Sequence, residues 1–372
     1  MAVEADWRAL YAAMPQPALW HSFEAYTVYI DHLCPSPERF LCLALSDGQR
    51  TRAILPLEER TEPGLGVRIR VLGMPWNGAW RPTDAIGPED DARAALLPAV
   101  IDYLRKRPGR PGILVLGQTW DGSALWEGLR QLPSSGWLAF ADGAEFVIPT
   151  HRSFADFEAG LSQNSRKKLH KAARAFEALS DAAYVCTASP DDLAEEFEHF
   201  LDVEGSGWKA ERGSAVKQHP ELVAFYRGLI ERMRLDGRVE FHALHAEGRC
   251  IASDFCVVTR NECAALKGGY IESYSHLTPG RLLTHKGIEW CCDDPAIDAV
   301  SEVSNAPWLL MWRPAENGLT RAYVSLSPVR GRLLLVALRF RYGPLRRMVR
   351  SYKAWRAGRK DGSAKDRGRD AG

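Results

Sequence analysis

Two hydrophobic periods alternate along the chain. Phe40 to Leu45 and Arg52 to Leu57 read as strands, separated by Asp47-Gly48, a dipeptide whose glycine accepts the positive φ of a tight turn. About 200 residues later, RVEFHALHAEGRCIASDFCVVTR repeats the pattern: Ala243-Leu244 answers Ala44-Leu45, Glu247-Gly248 answers Asp47-Gly48, and Ala252 answers Ala53. The first hairpin is followed by a helical stretch, ARAALLPAVIDYLRKR, and a strand, GILVLG; the second by a strand, CAALKGGYI, a helix opening near Arg281, and AIDAVSEV. Interleaved strands and helices predict mixed α/β layers. The repeated hairpin predicts a duplicated module, residues 1–148 and 149–328, followed by a tail over 329–372.

Between the halves, Leu169, Ala172, Ala173 and Phe176 fall at i, i+3, i+4 and i+7, while Arg166, Lys167, Lys168, Lys171 and Arg174 occupy the remainder. This is an amphipathic helix with a basic face, either a solvated surface or a face that meets phosphate or an acidic substrate. Further on, Arg281, His285 and Glu289 recur every four residues, the spacing of an exposed stripe, with Leu283, Gly287 and Trp290 assigned to the inner side.

Composition narrows the classes. Net charge is +1, from 48 basic and 47 acidic residues, so no global field points to nucleic acid. The charge is local: residues 330–372 hold 14 Lys or Arg against 3 Asp, a net of +11. Interleaved aromatic and aliphatic residues over 330–360 give that stretch the makeup of an interfacial segment for an anionic membrane, with a solubilising tail as the alternative. The opening MAVEADW lacks the basic start of a secretory signal, and LLLVAL at 333–338 is far short of the roughly 20 residues that span a bilayer. A cytoplasmic protein, with peripheral contact at the inner membrane face through that tail, is the expectation. Eight cysteines without a CxxC spacing read as reduced, packed thiols, and His242 and His245, three apart on a strand, point to opposite faces; no metal is expected.

The sharpest local signal is HLTPGRLLTHKGIEW, residues 276–290. Pro279 fixes φ and Gly280 tolerates positive φ, so the strand CAALKGGYI runs into a sharp turn and then a helix. The amides of Gly280, Arg281, Leu282 and Leu283 are expected to form a row of free donors, reinforced by the helix dipole and suited to a phosphate.

GWKAERGSA at 207–215, KGGYIESY at 267–274 and LTPGRLL at 277–283 together resemble the FemAB-like (CelD-like) acetyltransferase branch of the GNAT acyltransferase superfamily. The resemblance is strongest over about 150–315 and extends weakly over the first half. It implies two tandem GNAT-like modules, each a mixed sheet flanked by helices, and transfer of an acyl group, usually acetyl, from coenzyme A to an amine. It also implies that Pro279, Gly280, Arg281, Leu282 and Leu283 hold the cofactor pyrophosphate. Two departures stand out. Tyr270-Ile271-Glu272 lacks one of the two carboxylates common in relatives, and Trp308 to Trp312, WLLMW, replaces the usual Tyr-Lys.

Amine acylation needs a base for the nitrogen, alignment at the thioester and an acid for the departing thiolate. Glu272, just past the strand end, is the leading general base and His276 the second; Tyr270 and Tyr274 are candidate acids for the sulfur. Trp208 and Lys209, between glycines at 205, 207 and 213, lie on a loop that the resemblance places beside the acceptor pocket and are on that ground expected to bind acceptor, with Asp254 inside IASDFCVV and Lys267 on the next strand. The acceptor is left open among glycan, peptide and small-molecule amines. Two alternatives stand beside this reading: aminoacyl-tRNA-dependent transfer, for which the chain offers only the basic helix at 162–179, and a non-catalytic scaffold in polysaccharide assembly.

Overall fold

The computed structural model describes residues 3–340, apart from 16, 65–66, 81–83, 89–90, 121, 151–152, 237 and 260. Residues 341–360 of the expected membrane-binding stretch therefore lie outside the described residues. The strands are β1 (Leu41–Ser46), β2 (Thr51–Gly64), β3 (Val67–Gly73), β4 (Ile113–Trp120), β5 (Trp137–Pro149), β6 (Ala183–Thr187), β7 (Arg238–Ala246), β8 (Arg249–Thr259), β9 (Glu262–Tyr270), β10 (Ala299–Ser301) and β11 (Ala315–Ser325). The helices are α1 (Glu4–Ala12), α2 (Phe23–His32), α3 (Asp91–Lys106), α4 (Ala124–Arg130), α5 (Phe154–Gly160), α6 (Gln163–Glu177), α7 (Leu193–Glu204), α8 (Trp208–Glu211), α9 (Pro220–Asp236), α10 (Pro279–Asp293) and α11 (Arg330–Phe340).

All the strands join one sheet, ordered β1-β2-β3-β4-β11-β5-β10-β9-β8-β7-β6. In the first half β3 and β4 are parallel and joined through α3; in the second, β9 and β10 are parallel and joined through α10. The last strand of each half crosses over. β5 lies beside β10, while β11 runs between β4 and β5, antiparallel to both. The halves thus share a continuous, mixed α/β sheet.

Local chemistry explains the elements. The second hairpin turns through Glu247 and Gly248, both at positive φ (54° and 73°), the conformation that matches strand twist in a two-residue loop. In the first, Asp47 Oδ1 accepts from the amides of Gln49 and Arg50, and Gly48 takes φ 94°. On β7 and β8, Phe241 and Phe255 pack with Phe197 and Phe200 of α7 and Tyr226 of α9, while Cys256 and Val258 face the opposite core with Ile288 of α10. α6 is capped by Ser162, whose side chain accepts from Ser165 N, and buries Leu169, Ala172 and Phe176.

Two expectations are corrected. His285 is only 6% exposed, bonds Glu158 Oε1 at 3.1 Å and stacks on Trp312, whereas Trp290 is 41% exposed. Helix α5 and the 3₁₀ turn at Pro307–Trp312 cover the side of α10 that spacing had assigned to water. The start of the tail is also part of the fold, since Leu335 and Leu338 of α11 pack with Val71, Ile113, Val115 and Tyr323. Among the described residues, no helix is long and apolar enough to cross a membrane.

Candidate functional site

β10 pairs with β9 only over Ala299–Ser301 against Glu262–Ala264, and β9 continues to Tyr270 paired with β8 alone. Past Ser301 the two parallel strands part. Among the described residues, the β9 edge from Ala265 to Tyr270 has no strand partner on that side, and of its backbone groups Gly268 O is engaged by the Lys209 ammonium. Two glycines keep the neighbours close. A Cβ on Gly268 would lie 1.8 Å from Asp254 Oδ1, and one on Gly269 would lie 2.6 Å from Glu204 Cα, where α7 crosses the strand.

The opening ends at the start of α10. Thr278 precedes the helix in the left-handed region (φ 51°, ψ 50°), and Val303, just beyond the parting, has φ 46°. A β-branched residue there is strained, and such strain gathers at ligand sites. The expected row of four free amides is corrected: Arg281 N and Leu282 N both bond Thr278 O, at 3.0 and 3.2 Å, and Leu283 lies far enough in for the helical ladder. Pro279 has no N–H, so Gly280 offers the amide at the open end. Side chains add what the backbone lacks. Lys168 and Lys171 of α6, with His276, Thr278 and Arg281, line a cavity of about 210 Å³ beside this helix start. No acid stands in the first turn of α10.

The predicted residues divide among separate places. Glu272 opens a 3₁₀ turn, Glu272–Leu277, and is exposed. Tyr270 ends β9, half-buried against the Gly280 position, and burial together with Glu272 raises its phenol above the ordinary value. His276 is exposed and belongs to the cationic cavity. Tyr274 donates its hydroxyl to Glu247 Oε2 at 2.5 Å, tied to the β7–β8 turn. Pro279, Leu282 and Leu283 are buried and Arg281 is exposed. Lys209 donates its ammonium to Gly268 O and pairs with Glu204 Oε1 at 3.2 Å, so it clamps α8 to β9. Trp208 opens α8, but its side chain lies outside the described residues.

Asp254 and Lys267 do not share a site. Asp254 pairs with Gly268 and Lys267 with Phe255, which puts them on opposite sheet faces. Asp254 joins Glu302 and His242 in the wall of a small cavity under α10, where burial pushes the Asp254 and Glu302 carboxyls up to about 7 and about 8. Lys267 lines a cavity of about 220 Å³ at the seam of the two halves, with Trp20, Trp76, Trp80, Gln118, Tyr226 and Val303 among its other walls. Sequence reasoning missed this aromatic wall. Its signal was Trp76-Asn77-Gly78 at the end of β3, a Gly turn flanked by tryptophans.

A groove of about 810 Å³ lies at the other end of β9 and β10 and includes Glu127, Glu145, Glu262, Asp298 and Glu316. Burial and the nearby Glu145 push the Glu262 carboxyl up to about 8. This acid-rich lining opposes a diphosphate, unlike the cations around α10.

Residues 163–301 match the model of the acetyltransferase (GNAT) domain. The chain superposes on FemX with a TM-score of 0.57 at 8% identity, covering 86% of this chain and 96% of that one. A conserved protein of unknown function from Bacteroides thetaiotaomicron gives 0.54 at 11% identity, over 86% and 97%. The C-terminal domain of a putative lysylphosphatidylglycerol synthetase from Agrobacterium fabrum gives 0.51 at 11% identity, over 85% and 94%. No curated protein matches the chain. At these identities the structural likeness speaks for the fold: a mixed α/β, GNAT-like architecture, with the GNAT domain match on α6 through β10.

Proposed function

We propose that this protein is an N-acyltransferase that uses acyl coenzyme A, with acetyl as the leading acyl group, and acts on an amine acceptor. The observation that carries the reading is the parting of β9 from β10 beside a helix start ringed by Lys168, Lys171, Arg281 and His276. The diphosphate lies in that cavity against the Gly280 amide, the arm runs along the open β9 edge, and the acceptor enters through the aromatic seam beside Lys267. Glu272 takes a proton from the acceptor ammonium, directly or through water, so that the neutral amine attacks the thioester, and Tyr270 gives a proton to the departing thiolate. The raised phenol of Tyr270 carries its proton at neutral pH. In this reading the chain consists of two like-built modules with exchanged strands, the second carrying the donor.

A rise in melting temperature with millimolar acetyl coenzyme A tests donor binding, since a ligand of the folded state stabilises it by mass action. The absence of any shift rejects the donor. Glu272→Gln is expected to lower turnover on the order of 100-fold while donor affinity stays unchanged; an unchanged rate removes it from the mechanism.

A second donor is favoured by the exposed Lys167, Lys168, Lys171 and Arg174 of α6, a row long enough to meet several phosphates. Aminoacyl-tRNA would use the same helix start, and steep loss of tRNA binding with salt, without acetyl coenzyme A binding, selects it. Peripheral attachment through 330–360 is supported by exposed Val329, Leu333, Val336 and Phe340 beside Arg332 and Arg339. Flotation with anionic but not neutral vesicles tests it.

A further inference from the structure

Under α10, three cysteines far apart in the sequence meet. Cys256 comes from β8, Cys263 from β9 and Cys291 from the last turn of α10, and all three are almost fully buried. Cys263 is in hydrogen-bond contact with both other thiols. The imidazole of His242, from β7, is equally buried, and ligand atoms of His242, Cys256 and Cys263 lie within 4.8 Å of one another. These four side chains line one small cavity of about 20 Å³, with Asp254, Thr284 and Glu302 among its other walls. The void is the size of a single atom or water.

We propose that this cavity is a zinc site with His242, Cys256 and Cys263, whose ligand atoms already lie together, as ligands, and that Cys291, in contact with Cys263, moves in as the fourth when the metal binds. Three sulfurs and one imidazole are the donor set and coordination number that Zn²⁺ takes where it holds a fold together. Each ring nitrogen of His242 has a neighbour: Tyr184 Oη lies 2.5 Å from Nδ1 and Glu240 Oε2 lies 3.2 Å from Nε2. Ligation takes one nitrogen and leaves the other on its partner, the arrangement that orients ligating histidines. The site ties α10, whose start forms the candidate anion cavity, to β7, β8 and β9. Zinc binding releases the three thiol protons to solvent and involves no change of oxidation state.

The full chain, purified without added metal or chelator, is expected to hold one zinc per chain by elemental analysis. Exchange of zinc for Co²⁺ is expected to give thiolate-to-cobalt charge-transfer absorption and the visible bands of a tetrahedral centre. His242→Gln and Cys263→Ser are expected to abolish both, whereas Cys292→Ser, next to a ligand in sequence, retains them. Glu240→Gln is expected to weaken zinc binding about 10- to 100-fold by removing a partner of the ligating ring. Metal-free chain that melts at the same temperature with and without zinc, and gives no cobalt spectrum, overturns the proposal. This wild-type measurement stands even if a variant fails to fold. Donor binding is read separately, so an acyltransferase without zinc and a zinc protein without donor affinity are distinguishable results.

Discussion

The two crossover helices begin in opposite electrostatic settings. At the first-half helix α3, Arg93 reaches Asp84, and the same carboxylate accepts from the amides of Ala85, Ala124 and Leu125, thereby capping α4. His21 packs beside it, its Nε2 accepting from Asp84 N at 3.3 Å. The chain supplies its own anion there. At α10 the first turn holds no acid, and Lys168, Lys171 and Arg281 face a cavity. The first half thus holds a carboxylate of its own beside α3 and at the start of α4, whereas the crossover helix of the second half opens onto cations and no acid. On the proposed reading it is the charge at the helix start, and not topology alone, that marks the donor site.

The largest way to break this contrast is Asp84→Ala. It takes the carboxylate partner from the largely buried Arg93 and leaves the α4 amides without their acceptor, so denaturant melts are expected to show a loss of about 3–5 kcal/mol, with donor affinity in the surviving folded protein unchanged. Acid titrates the same region. Burial pushes the His21 imidazole down to about 4 from an ordinary 6.5. Between those values the unfolded chain holds a proton that the folded chain does not, so this contribution to stability is intact above pH 6.5 and lost as pH falls through 4. The loss is on the order of 3 kcal/mol, read as a falling denaturant midpoint, and His21→Gln is expected to flatten it. In the second half, Gly280→Asp sets a carboxylate against the proposed diphosphate and is expected to weaken acetyl coenzyme A binding on the order of 100-fold by calorimetry, with little change in melting. Arg281→Ala, at an exposed position, is expected to weaken it only about fivefold, and less in high salt.

Much of the fold was legible because it is written locally. Gly48 and Gly248 mark the hairpins through their positive φ, and Leu169, Ala172 and Phe176 mark the buried side of α6 through helical spacing. The strand and the helix within 263–290 were equally readable, but the turn and its amides were not: Thr278, not Gly280, takes the positive φ, and Pro279 and Gly280 already belong to α10, whose first turn engages Arg281 and Leu282 on Thr278 O, so the proposed site leans on the cations around it, two of them from α6, more than on the expected backbone row. What spacing missed is nonlocal. His285 is buried because Glu158, Phe154 and Trp312 arrive from other elements, and Trp290 is exposed because nothing covers it fully. Asp254 and Lys267 were both assigned to acceptor binding, yet the register of β8 on β9 sends them to opposite faces. The cysteine cluster has no motif since its members sit on two strands and a helix.

The placement of β11 between β4 and β5 has a mechanical consequence. Sliding one lobe against the other would require tearing backbone ladders rather than bending a linker. Trp76 and Lys267, which both line the cavity at the seam, are therefore held at a set spacing, and on the proposed reading an acceptor is selected by fitting a rigid slot instead of by drawing two jaws together.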